Sequence, residues 1–254
     1  MKEKTHVFAA LVVLVLVPCR ASMSADPDPM KLLSDCRESC KKLTNYTCTC
    51  TKREFLGGGL RDTEVMFLKF RKEPLSIYAK WIGKAHKGRE AIYVKGKNKE
   101  QVVGHEYIGP LNISVNMDVH GKEAKKNARR PITEGGMLNA VRTFIRYVEM
   151  GKQKRDSRLR YLGMETVDGR PAHVIVRILE KQPDYPAYLT FLYIEKERLL
   201  PVKCVGYDWD HKLLWVYTNA DLKLNVGLAD KDFDPGNKEY KYPRLPKFKF
   251  PKLF

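Results

Sequence analysis

The sequence has only one long apolar run and lacks a second. Residues 7–17 are all apolar, but this run is too short to span a bilayer, which takes about 20 residues of helix. No comparable run follows in the rest of the chain. We therefore expect no membrane-spanning helix after the first 25 residues, which excludes the class of integral helical membrane proteins.

The apolar run has the layout of a secretory signal peptide. Lys2 and Lys4 precede it and small residues follow it, in the order of basic, apolar and small segments that such leaders show. We predict a signal peptide over residues 1–24, with cleavage after Ala21 or after Ser24. Export to the periplasm or another part of the cell envelope follows.

A second interpretation makes Cys19 a lipidated first residue. Leu16 and Val17 suit that processing, whereas Pro18 directly before the cysteine does not. Both interpretations place the mature chain in the cell envelope, so the choice between them does not change the expected location.

Acidic residues are scarce relative to basic ones. The chain has 30 Asp and Glu against 47 Lys and Arg, a formal net charge of +17, which favours polyanionic partners. Export makes nucleic acid an unexpected partner, which leaves an anionic membrane surface or an acidic polymer. Candidate contact residues lie in a basic loop over residues 120–130 and near the C-terminus: Lys125, Lys126, Arg129, Arg130, Lys247, Lys249 and Lys252.

The C-terminal segment over residues 240–254 interleaves basic side chains with aromatic ones and is broken by prolines. One interpretation is a disordered basic tail. The other is an extended arm that binds an anionic membrane surface or a partner. Because Phe233 and Asp234 end the predicted sheet, we expect deletion of this tail to leave the fold intact.

Cysteines are few, yet four of them fall close together. Cys36 and Cys40 are one helical turn apart, and Cys48 and Cys50 share one face of a predicted strand. This spacing is not that of a known zinc site, so we predict no metal. Inward-packing small apolar residues would explain the pattern. We favour a disulfide between the helix and the strand, and the sequence leaves the connectivity open.

Catalytic signatures are missing. The six histidines are not spaced three or four residues apart along a predicted helix, and neither a Gly-x-Ser-x-Gly elbow nor a Walker loop occurs. The sequence therefore predicts no catalytic residue, no cofactor and a non-enzymatic protein.

Alternating apolar and polar residues dominate the chain, as over residues 111–119, and such alternation predicts antiparallel strands. Two helices interrupt them, one over residues 30–43 after the cap Asp28 and one starting near Thr133. At least nine strands and no strand–helix–strand rhythm indicate an α+β fold. We predict a large curled antiparallel sheet, an open half-barrel with two main helices over its concave face, forming one domain over residues 25–239.

Several stretches resemble a known family. They are residues 46–54 (YTCTCTKRE), 87–96 (KGREAIYVKG), 131–134 (PITE), 200–203 (LPVK) and 221–233 (DLKLNVGLADKDF). Together they resemble a bacterial family of exported proteins known as domain of unknown function 1571, over residues 35–242. More loosely, the chain is similar to the periplasmic lipoprotein carriers and their outer-membrane receptors.

The looser resemblance implies an open antiparallel half-barrel that holds acyl chains under its helices, and it brings no catalytic residues. Two binding functions are compatible with these observations, and a third hypothesis is a hydrolase whose site the sequence does not reveal. The leading hypothesis is a cell-envelope protein that binds a lipid, acyl chain or lipoprotein in an apolar concavity. The alternative is a module that docks on an acidic polymer or protein partner. A filled concavity would favour the alternative.

Seven apolar residues in alternating strand positions are candidates for lining the concavity. Packing under the helices would explain their pattern equally well. They are Met66, Leu68, Phe70, Trp81, Ile113, Val115 and Phe191.

Overall fold

The computed structural model describes residues 26–108 and 110–243. The predicted signal peptide with Cys19, and the basic residues Lys247, Lys249 and Lys252, lie outside this range.

Twelve strands form one open antiparallel sheet in the described part of the chain. Its strand order is β7-β6-β5-β4-β3-β1-β12-β11-β10-β9-β8, and the short β2 pairs only with β1. The strands are β1 (Asn45–Leu56), β2 (Gly59–Leu60), β3 (Glu64–Arg71), β4 (Ser76–Trp81), β5 (Glu90–Val94), β6 (Gln101–Ile108), β7 (Leu111–Asp118), β8 (Ser157–Val167), β9 (Arg170–Leu179), β10 (Leu189–Glu195), β11 (Pro201–Tyr207) and β12 (Leu213–Leu224).

Strand β1 joins two meanders into this single sheet. On one side it pairs with β3, with Tyr46 opposite Phe70. On its other side it pairs with β12, with Tyr46 opposite Leu224. The first meander runs outward to the edge strand β7 and the second to the edge strand β8. The sheet therefore stays open, as an open half-barrel requires.

Three α-helices accompany the sheet: α1 (Pro29–Lys41), α2 (Lys122–Asn127) and α3 (Met137–Lys154). The predicted start of α1 is confirmed, because the Asp28 carboxylate accepts hydrogen bonds from the backbone N–H groups of Met30 and Lys31 at 2.6 and 3.1 Å. Helix α2 lies in the segment that the sequence analysis treated as a loop.

The predicted cap of the second long helix is wrong. Thr133 lies in a short 3-10 turn, and α3 begins four residues after it, at Met137, directly behind Gly136. Gly136 has a φ of +97°, and a Cβ on it would lie 2.5 Å from the Phe70 ring. Only glycine suits a position that combines this backbone conformation with so close an approach, so the chain turns into α3 there.

Helices α1 and α3 pack against each other and over one face of the sheet, which we call the concave face. Their apolar stripes meet strand residues of both meanders. Leu33 and Val141 are fully buried from the helix side, as is Ile175 from the sheet side. The predicted α+β half-barrel with two main helices over its concave face is confirmed, and its interior in this region is a filled core.

The opposite face is covered in part by the C-terminal segment. Tyr240 stacks on Tyr78 with ring centroids 4.2 Å apart. The Tyr242 hydroxyl donates a hydrogen bond to the Val103 carbonyl at 2.9 Å. Both tyrosines are buried. The boundary that the sequence analysis set at residue 239 therefore falls too early, because the aromatic residues that begin the predicted tail belong to the core.

The four clustered cysteines lie in the concave core and are free and buried. The predicted disulfide between helix and strand is not formed in this structure, where the cysteines pack as small apolar residues. Burial raises the pKa of Cys50 to about 12. A hydrogen bond with Cys40, together with burial, raises the pKa of Cys36 well above its usual value.

Two truncations separate the packed part of the C-terminal segment from the rest. A chain ending at Pro243 should unfold at the same denaturant concentration as the full chain, because the tyrosine contacts remain. A chain ending at Glu239 loses Tyr240 and Tyr242, and should be less stable by on the order of 3–5 kcal/mol, the usual cost of truncating a buried aromatic side chain. Equal midpoints for both truncations would show that the tyrosine packing contributes no stability.

Thiol alkylation distinguishes the structure from the disulfide prediction. The thiolate is the reactive form, so the buried cysteines should react with iodoacetamide far more slowly in the folded protein than in the unfolded one. In the unfolded chain without reductant, all five cysteines after the predicted leader should be labelled. Labelling of only three would establish a bridge and overturn the free-thiol arrangement.

Candidate functional site at one end of the concave face

The concave face changes from apolar to polar towards one end of the central strands. Lys52 on β1 lies opposite Glu64 on β3 and opposite Tyr217 on β12, so the three side chains share one face. The Lys52 Nζ is 3.1 Å from Glu64 and 3.5 Å from Glu54. The Tyr217 hydroxyl donates a hydrogen bond to Glu54. Both carboxylates are thus held by hydrogen bonds and a shared cation.

Burial of this polar cluster is nearly complete. Glu54 is 3% exposed. Burial, together with the nearby Glu54 carboxylate, raises the pKa of Tyr217 well above its ordinary value. The Trp81 indole closes the cluster by donating a hydrogen bond to Glu64 at 2.5 Å. Buried charges persist when they are paired and hydrogen-bonded, and these contacts fix the geometry of this end of the sheet.

An arginine-rich cleft lies beside this cluster and has a volume of about 240 Å³. The Arg129 guanidinium lies over the Trp215 ring, 5.3 Å from its centroid, and donates a hydrogen bond to the Phe55 carbonyl at 3.0 Å. We call it the arginine cleft; its lining residues are Arg129, Arg130, Glu134, Arg146, Tyr147, Pro186 and Trp215.

A second cleft, of about 380 Å³, separates the β1–β2 hairpin from α2. Gly57 and Leu56 at the hairpin form one side. Lysines of α2 form the other, and these side chains are exposed to solvent. We call it the lysine cleft; its lining residues are Leu56, Gly57, Arg61, Lys122, Lys125 and Lys126.

The structure therefore divides the predicted anion-contacting residues of the segment before α3 between two clefts. Lys125 and Lys126 line the lysine cleft, whereas Arg129 and Arg130 line the arginine cleft. Sequence reasoning missed Arg61 and Arg146 as partners of these residues. Neither lies near the basic segment in the chain, so only the tertiary fold brings them there.

The predicted ligand-lining residues do not form one groove. Met66 is buried in the concave core, and three more of these residues are partly buried against that core. The four are Met66, Leu68, Phe70 and Trp81.

Ile113 and Val115 face the concave side of the sheet but lie on the edge strand β7, where they are 37% and 48% exposed.

The predicted position of Phe191 on the concave face is wrong. It lies opposite Val205 on β11 and packs in a cluster on the other face of the sheet. Strand alternation places Leu192, not Phe191, in the concave core.

Over the described ranges, no group of three or more His, Cys, Asp or Glu side chains is placed to hold a metal ion. Within the same residues, none of the helices has both the length and the apolar character needed to cross a bilayer.

Solved structures are similar to this one to different degrees. MucB matches with a TM-score of 0.52 at 14% identity over 82% of this chain and 62% of MucB, so the chain spans less than two thirds of that protein. The Mycobacterium tuberculosis lipoprotein LppX matches with a TM-score of 0.47 at 13% identity, over 82% of this chain and 100% of LppX. A LolA-superfamily protein from Nitrosomonas europaea matches with a TM-score of 0.33 at 11% identity, over 81% and 97% of the two chains.

The sequence comparisons give a family and no further relative. No curated protein sequence matches the chain. The model of the family described as a protein of unknown function, DUF1571, matches residues 43–242, which is most of the chain. The protein is therefore a member of the DUF1571 family, as its sequence motifs indicated.

Proposed function

We propose that this protein is a non-enzymatic binding protein of the cell envelope that docks on an acidic polymer or protein partner. The observation that carries the proposal is the lysine cleft, where one arginine and three lysines surround a solvent-exposed space.

Electrostatics favours an acidic partner at this cleft. Lys122 and Lys125 have no ion pair with a described carboxylate, and Lys126 pairs only with Glu123, at 2.7 Å on the surface of α2. Such exposed pairs contribute about 0–1 kcal/mol and are easily exchanged. Positive potential concentrated in a cleft raises the association rate and selects partners of opposite sign.

The filled concave face supports docking at the surface rather than uptake into the interior. Leu33, Cys36, Val141 and Ile175 are fully buried between the helices and the sheet. A ligand would have to displace this packing before it reached the apolar face. The lysine cleft, in contrast, is accessible without any rearrangement of the core.

The location proposed for this activity is the cell envelope. Its support is the predicted signal peptide and the excess of basic residues. Partners there include acidic polymers and the acidic surfaces of other exported proteins, all of which present carboxylates or phosphates.

Poly-L-glutamate of defined length tests the docking proposal. The mature protein should bind it with an affinity that falls as salt rises, because exposed charges are screened over about 10 Å at 0.1 M salt. The triple variant Lys122→Gln, Lys125→Gln and Lys126→Gln should bind roughly tenfold more weakly, since three surface contacts of up to about 1 kcal/mol each are lost.

A matched control removes the same charge elsewhere, with Lys95→Gln, Lys99→Gln and Lys181→Gln at exposed positions. The control should retain most of the affinity. Equal losses in both triples would mean that net charge alone attracts the polymer, and the lysine cleft would then not be a docking site.

Lipid carriage is the second candidate function, and two observations favour it. The two main helices cover the concave face through apolar contacts, and Leu111, Ile113 and Val115 expose an apolar strip on β7. The resemblance to lipoprotein carriers implies an acyl chain beneath such helices. A lipid would therefore enter between the helices and the first meander.

Native mass spectrometry separates the two candidates. The docking proposal expects the mature chain, isolated from envelope extracts under mild conditions, to have its own mass. Lipid carriage expects an added mass that organic extraction removes. A lipid adduct on the folded protein would replace the docking proposal by lipid binding. A control chain refolded after extraction distinguishes a bound lipid from a covalent modification.

A further inference from the structure

Arg177 is a buried arginine without a counter-charge. It lies on β9 and is 2% exposed. Its guanidinium donates hydrogen bonds to the Phe144 carbonyl at 3.2 Å and to the Thr190 hydroxyl at 2.7 Å, while its Nε has no partner. No described Asp or Glu forms an ion pair with it. Burying a charge in this way is costly unless another group compensates for it.

Aromatic rings hold this guanidinium against the arginine cleft. The Arg177 Cζ is 4.9 Å from the centroid of the Phe144 ring and 5.1 Å from that of Tyr147. Tyr147 lines the arginine cleft. The Arg146 guanidinium also lies over the Tyr147 ring, with its Cζ 4.8 Å from the ring centroid. Burial lowers the pKa of Arg177 to about 10, so the group stays positively charged at neutral pH.

The arginine cleft itself has an excess of positive charge. Three arginines line it against one carboxylate, that of Glu134. Glu134 pairs with Arg130 at 3.5 Å. Within the described residues, Arg129 and Arg146 form no ion pair. Three arginines thus line the cleft with a single carboxylate, and the buried Arg177 lies against Tyr147 of the same cleft. Like charges so arranged repel one another unless an anion is bound.

We infer that the arginine cleft is a binding site for an oxyanion, meaning a phosphate or carboxylate group. The planar guanidinium offers paired N–H donors that match the oxygen atoms of these groups. The cleft volume of about 240 Å³ holds such a group together with several attached atoms. The arginine cleft and the lysine cleft have different lining residues, so the oxyanion site does not depend on the docking proposal.

The anion is either a free inorganic ion or the acidic group of a larger molecule, and two probes distinguish these sources. Inorganic phosphate is titrated into the mature protein at constant ionic strength with chloride as the reference anion. Dihexanoyl phosphatidic acid is titrated in parallel, below the concentration at which it forms micelles, with dihexanoyl phosphatidylcholine as the lipid control. The readouts are the thermal unfolding midpoint and the indole fluorescence, because Trp215 lines the cleft.

A saturable rise of the midpoint is expected with phosphate or with phosphatidic acid, since a ligand that binds only the folded state stabilises it. A response to phosphate indicates a free ion, and a response to phosphatidic acid alone indicates the acidic group of an amphiphile. The variant Arg130→Gln with Arg146→Gln should weaken the apparent affinity at least tenfold. The control Arg158→Gln with Arg160→Gln, at exposed positions on β8, should keep the wild-type affinity.

The variant Arg177→Met adds a test of the buried charge. Its midpoint in chloride should equal or exceed that of the wild type, because an uncompensated charge is replaced by an apolar side chain, and its response to the anion should be lost. If Arg177→Met does not fold, the double variant still tests the site.

The inference is overturned if the wild type shows no saturable response to either probe, or if Arg130→Gln with Arg146→Gln responds as the wild type does. The lysine-cleft triple variant should retain the phosphate or phosphatidic acid response. Failure of poly-L-glutamate binding and failure of the oxyanion site can therefore be told apart.

Discussion

The pairing of β1 with both β3 and β12 is the constraint on which the rest of the structure depends. Without the contact between β1 and β12, which joins residues about 170 positions apart in the chain, the two meanders would be separate sheets. Loop closure over such a distance costs conformational entropy, and the extended ladder offsets that cost. This junction also sets which residues of the two meanders share the concave face, and hence where α1 and α3 bury their apolar stripes.

The polar end of the concave face is a consequence of the same register. Lys52 meets Glu64 because β1 pairs with β3, and it meets Tyr217 because β1 pairs with β12. A shift by one residue would turn these side chains to the opposite face. The register therefore places a buried ionic cluster beside the arginine cleft, at the end of the sheet that α3 and the segment before it border.

The two basic clefts and the filled core give the molecule two chemically different halves. The apolar interior is closed by Leu33 and Val141 from the helices, whereas the lysine cleft is lined by exposed basic side chains. Surface docking and interior uptake therefore make different demands on the structure. Docking needs no change in the core, whereas uptake requires the helices to leave the sheet. The fold does not by itself choose between them.

Local patterns in the sequence were sufficient for the fold class and for most of the secondary structure, although they missed α2 and placed the start of α3 too early. Alternation predicted the strands, and Asp28 predicted the start of α1. At the β8–β9 hairpin, Asp168 and Gly169 both have positive φ, which residues of these types adopt readily in tight turns. These features depend on residues close together in the chain. The tertiary structure alone decided that Tyr240 and Tyr242 pack on the sheet and that Phe191 faces away from the concave core. It also placed Arg146 and Arg130 in one cleft, with Arg177 against Tyr147 of that cleft. Each of these depends on contacts between residues far apart in sequence, and side-chain periodicity carries no information about which distant surfaces meet.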